Sequence, residues 1–212
     1  MLLGGGLRES RVGGSNRAVL VSVAQFDPGV RLGRRPGAQR DTKKLHRTLS
    51  KLGFRVEIHS DLSGDQIYQL FLEETEPEGS SLAEHVSCEY EACRGGALDD
   101  GVEVDSVTDS SECSFTQHLS VPIDTAVMYA TAPGYGAFMH PLGSVFLQTF
   151  CRLLQEEGNR ELELTRLMTR LSHSVAFTFQ AKGGALAGKK EMPCFLTRLT
   201  REVFPKSKDA IK

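Results

Sequence analysis

The chain has 212 residues, 40% of them hydrophobic and 25% charged, a composition that fits one globular domain with a sizeable core. Its 25 basic and 27 acidic side chains are mixed along the sequence and leave a net charge of -2, so no whole-protein field draws in nucleic acid or an anionic membrane. Five cysteines, an odd number without a close CxxC pair, argue against a disulfide framework and a structural zinc site; reduced thiols, no metal and no cofactor are expected.

Residues 1–17 are rich in Gly, Ser and Arg without an apolar period and read as a flexible leader. The opening apolar run is too short for a signal peptide and no later run approaches a spanning helix, which points to the cytoplasm or nucleus. Ala18-Val19-Leu20-Val21-Ser22-Val23 suits a strand buried on both faces, as in a parallel sheet. A polar loop over 27–40 follows, and its four arginines are candidates for anion binding.

Asp41 is expected to cap a helix over 42–52, where Leu45, Leu49 and Leu52 share a face and Gly53 supplies the stop. Residues 54–59 alternate as a strand with one wet face, suited to a sheet edge, with Phe54, Val56 and Ile58 turned inward. Ser63 and Gln66 form a capping box for a helix that runs towards Glu76 and ends before Pro77.

Residues 80–91 carry three carboxylates and hardly any consecutive apolar residues, so no buried strand can be built from them. Residues 96–120 form an acidic linker without apolar period. The pattern resumes with a buried strand over 126–130 and a turn-rich loop over 131–136. A helix starts near Ser144 with Leu147, Phe150, Cys151 and Leu154 inward, closed by Gly158. A second follows through Leu164, Leu167, Met168 and Leu171, then a last strand near Cys194 after Pro193. This alternation implies an α/β fold with helices on both faces of a mostly parallel sheet.

Glu91-Ala92-Cys93-Arg94-Gly95 resembles the caspase signature, in which Gln-Ala precedes and Arg-Gly follows the nucleophilic cysteine. The resemblance continues in order. Residues 18–26 match the first strand, Arg34-Arg35-Pro36-Gly37 through Asp41 to Leu45 the loop and helix after it, and Asp61-Leu62-Ser63 the opening of the second helix. Val121-Pro122-Ile123-Asp124 resembles the start of the small subunit, Thr131-Ala132-Pro133-Gly134-Tyr135 its substrate loop and Met192-Pro193-Cys194 the entry to the last strand. The implied fold is a caspase-like three-layer sandwich. Its parts are a large-subunit-like stretch over 18–95, the linker over 96–120, a small-subunit-like stretch over 121–204 and a tail over 205–212.

The resemblance implies a cysteine endopeptidase of the apoptosis and proteolysis family, cleaving peptide or protein substrates after aspartate, with Cys93 as nucleophile and a histidine handling its proton. In the family that histidine stands in a Ser-His-Gly motif roughly 50 residues before the cysteine. No Ser-His-Gly occurs here. His46 has the spacing but falls in the first helix; His85 is near in sequence, yet its surroundings match nothing in the catalytic loop and an exposed polar residue is its plain reading. Val86-Ser87-Cys88 resembles the start of the third strand and runs straight into the cysteine motif, so a deletion near 86–90 is expected to have removed the third and fourth strands and the histidine. A skipped exon or a decayed gene would produce it.

Caspases hold the substrate aspartate with two arginines and a glutamine. Arg35 matches the first arginine, with a solvated loop arginine as the alternative; Glu91 stands in place of the glutamine and Met139 in place of the second arginine. Val102-Glu103-Val104-Asp105-Ser106 resembles a maturation site cut after Asp105, against which stands a plain acidic linker. The last strand implies pairing with a second copy or with another caspase. The expectation is a caspase homologue impaired or inactive as a peptidase; the alternatives are a non-catalytic partner of active caspases and an unstable product without function.

Overall fold

The computed structural model describes residues 17–26, 34–75, 123–132 and 134–205. Strand β1, Arg17–Ser22, pairs in parallel with β2, Arg55–Ser60, and the two are joined through helix α1, Ala38–Lys51. Parallel neighbours need such a crossover, and α1 lies on both strands. Gly53, at φ +88°, ends α1: its N–H reaches the Ser50 carbonyl and that of Phe54 the Leu49 carbonyl, the paired bonds of a Schellman stop. The helix starts earlier than expected. Gly37 occupies the cap position, so Asp41 lies inside the first turn and is buried there.

Helix α2, Gly64–Thr75, opens on the expected capping box: the Ser63 N–H donates to Gln66 Oε1 at 2.8 Å and the Gln66 N–H to Ser63 Oγ at 3.3 Å. In the second half, β3 is Ala126–Tyr129, β4 Met139–His140, β5 Gly143–Ser144, α3 Val145–Gln155, α4 Leu164–Thr178 and β6 Cys194–Thr197. β6 pairs antiparallel with β3, and β4 with β5 as a tight hairpin. The parallel pair among the described residues is thus β1 with β2.

One apolar cluster joins the halves. Leu20 from β1 and Leu45 from α1 meet Met128 from β3, Phe150 and Leu154 from α3, and Leu167 and Leu171 from α4. The helical spacing read from the sequence is the burial observed, with Leu147, Phe150, Cys151 and Leu154 all inside. Two expectations need correction. Gly158 does not close α3, which ends at Gln155 because Asn159 Nδ2 turns back to cap the Leu153 carbonyl at 3.1 Å. Ile58 is not turned inward; it is 45% exposed on β2, whose described hydrogen-bonded neighbour is β1 alone.

Candidate active site

Asp61 fixes the end of β1. Its N–H donates to the Ser22 carbonyl at 2.8 Å while its Oδ1 accepts the N–H groups of Ala24 at 2.7 Å and Gln25 at 3.0 Å. This double acceptance holds Asp61 at φ +53°, a conformation a short polar side chain tolerates by bonding locally. Ala24 in turn accepts the Arg35 N–H at 2.9 Å, so the backbone of Arg35 is positioned through Ala24 by Asp61.

Two residues on, Gly37 packs against the β4–β5 hairpin so closely that a Cβ there would overlap the His140 carbonyl oxygen and the Met139 sulfur. The Arg35 loop and Met139 are therefore brought together from the two halves of the sequence. Buried Glu191 sets the next residue, its Oε2 accepting the Phe138 N–H at 2.7 Å. The Thr131 hydroxyl donates to the Tyr135 carbonyl at 3.1 Å.

Beneath this site Asp41, 2% exposed, accepts the Ser144 N–H at 2.7 Å on Oδ2 and the Gln148 side-chain amide on Oδ1. Lys44 Nζ donates to the Gln148 amide oxygen and closes the set. Burial pushes the Asp41 carboxyl above its ordinary range, against the lowering pull of the Ser144 and Gln148 hydrogen bonds. Sequence reasoning missed this joint between the halves. Its signal was an acid on the apolar face of α1, in register with Leu45, Thr48 and Leu52, which demands partners from another element.

Of the cysteines described, Cys151 is buried and its thiol is pushed up to about 11 by burial, which removes it as a nucleophile at neutral pH. Cys194 is partly buried, its Sγ directed at the Thr131 carbonyl. Cys93, Glu91, His85 and Asp105 lie outside the described residues. His46 sits on the exposed side of α1. Among the described residues no group of His, Cys, Asp and Glu could hold a metal ion, and no helix is long and apolar enough to cross a membrane.

The family profile described as Caspase domain matches residues 15–83 and 90–204. The chain belongs to the caspase family. It is 24% identical to caspase-7 of Gallus gallus over 236 aligned positions, covering 89% of this chain and 76% of that relative. Against caspase-3 of Bos taurus it is 36% identical over 118 positions, 54% of this chain and 42% of the relative, so this match spans about two fifths of that protein. Among solved structures, caspase-1 of Spodoptera frugiperda superposes with a TM-score of 0.73 at 21% identity, covering 92% of each chain. The fold is the caspase α/β fold.

Proposed function

We propose that this chain is a caspase homologue with little or no peptidase activity. The observation that carries the reading is the missing histidine: between β2 and Cys93 the sequence contains no Ser-His-Gly. A free thiol titrates near 8.5 and is only slightly ionised at neutral pH, and the departing amine also needs a proton that Cys93 alone cannot supply. The break in the family match between residues 83 and 90 supports a lost segment there. The alignment to caspase-7 runs over 236 positions, more than the chain's own 212 residues, so it opens gaps in this chain, in keeping with lost sequence.

The pocket supports the same reading. Arg35 is the one retained match to the aspartate-binding set, Glu91 would repel a substrate carboxylate, and Met139 supplies a thioether where the family pattern has a cation. Incubating purified protein with an aspartyl peptide, beside Cys93→Ala, tests it. No turnover above the variant is expected, and turnover abolished by the substitution would sink the proposal.

A second reading is a non-catalytic partner of active caspases in the cytoplasm or nucleus, and β6 favours it. Phe195 and Leu196 are each 37% exposed on a strand whose described neighbour is β3 alone. Such an edge can accept another strand. Size-exclusion chromatography with an active caspase should show co-elution that Leu196→Glu removes. Asp105, in its acidic setting, is the proposed cleavage point for such a partner; an active executioner caspase should cut the wild-type chain there and leave Asp105→Ala whole.

A further inference from the structure

Helix α1 carries five cations in fourteen residues, and its one acid, Asp41, is turned into the protein and occupied by Ser144 and Gln148. Arg40, Lys43, Arg47 and Lys51 are all exposed and follow one another at intervals of three or four residues, which stacks them along one side of the helix. Among the described residues none of the four forms an ion pair with a carboxylate. The row spans about 16 Å from first to last at the ordinary helical rise. A chain with net charge -2 thus concentrates positive charge on one element.

Two shallow depressions flank the row. One, of about 480 Å³, is floored by Ile58 from β2; the other, of about 500 Å³, is bounded by Leu142 at the hairpin turn and by Gln148 and Gln155 of α3. Leu142 is 60% exposed. From the row the surface continues through Leu142 to the β4–β5 hairpin that carries Met139.

We infer that the outer face of α1 is a docking site for an acidic polypeptide segment of a partner protein. In an extended segment the side chains on one edge repeat every ~6.7 Å, against about 5–6 Å between successive cations along the helix, a difference the long Lys and Arg side chains can take up, so alternate acids can each meet one. Apolar residues beside the acids can reach Ile58 on one flank or Leu142 on the other, and the amides of Gln148 and Gln155 offer donors and acceptors to the backbone. Single-stranded nucleic acid fits less well, because among the described residues the one ring lining either depression is His46, too little to stack successive bases. A membrane surface fits less well too, because two separated apolar side chains give little area to insert.

The test is fluorescence anisotropy of the full chain with a labelled twelve-residue peptide of alternating Glu and Ser, in rising sodium chloride. Arg47→Glu/Lys51→Glu is compared with Arg166→Glu/Lys182→Glu, which places the same added negative charge on exposed positions away from α1. Thermal melts of both confirm folding. The α1 variant should bind about tenfold more weakly and show a shallower salt dependence, while the control stays within about twofold of wild type. Equal weakening in both variants, no binding to the wild type, or tighter binding of a twelve-nucleotide oligouridylate or of vesicles with anionic lipid would overturn the proposal. None of these readouts depends on peptidase activity.

Discussion

The Asp41 carboxylate in α1 accepts the backbone N–H of Ser144 at 2.7 Å, so one buried hydrogen bond ties the first helix to the cap of α3, 103 residues away in sequence. Ser144 uses its own hydroxyl to cap α3 through the Leu147 N–H at 3.1 Å. Removing the carboxylate strands both the Ser144 donor and the Gln148 amide in a buried place. Asp41→Ala should therefore cost about 3 kcal/mol, read as a lower urea midpoint at unchanged slope. Because burial raises this carboxyl, its share of stability is fully present below the ordinary value of 3.8 and is lost as pH rises through the folded value.

Gly143 stands in the same joint at φ +119°, a conformation that disfavours any side chain, and a Cβ there would collide with Asp41 Oδ1 and Gln148 Nε2. Gly143→Ala should combine about 1–3 kcal/mol of backbone strain with a similar overpacking cost. A drop in melting temperature larger than that of Gly158→Ala, where nothing stands near an added Cβ, checks the argument.

The elements that follow local rules could be read in advance. The Ser63 and Gln66 box, the Gly53 stop and the apolar faces of α3 and α4 depend on neighbours a few residues away, and each appears as its residues dictate. What escaped reading depends on distant partners. Asp41 looked like a cap because an acid before an apolar run usually is one, yet its carboxylate answers to Ser144. Gly158 looked like a stop because no local pattern announces that Asn159 will cap Leu153. Ile58 kept the strand period but lies beside the α1 cations instead of the core. At the site, Arg35 and Met139 were named from their motifs, whereas the Glu191 and Asp61 anchors that hold their neighbourhood come from loops without periodicity.

The cysteines should react in a fixed order. Cys151 is buried with its thiol pushed up to about 11, so alkylation by iodoacetamide should reach it only on unfolding. On the proposed reading, Cys93 has no histidine in register to lower its pKa. Its labelling rate, followed by mass spectrometry in Cys194→Ser, should rise with pH along an ordinary thiol curve centred near 8.5. A rate plateau already reached by pH 7 would reveal an activated nucleophile and contradict the proposed loss of activity.

Asp124, at the junction where the small-subunit-like half begins, makes the acid limb of stability readable. It holds a left-handed turn at φ +60° and its Oδ1 accepts the Thr200 N–H at 2.8 Å and the Thr200 hydroxyl, with Arg201 nearby. The Thr200 hydrogen bonds lead in holding its carboxyl below the ordinary value of 3.8. A carboxyl lowered by folding contributes stability above its unfolded value and loses it as pH falls through the folded one. Asn keeps an acceptor oxygen and tolerates the left-handed turn, but it cannot titrate. Asp124→Asn should therefore leave the turn intact while removing this residue's share of the fall in unfolding free energy below about pH 4. Urea titrations at steps between pH 3 and pH 6 measure it, and wild-type and variant curves that stay parallel across that range would show that the Thr200 bonds do not favour the charged form.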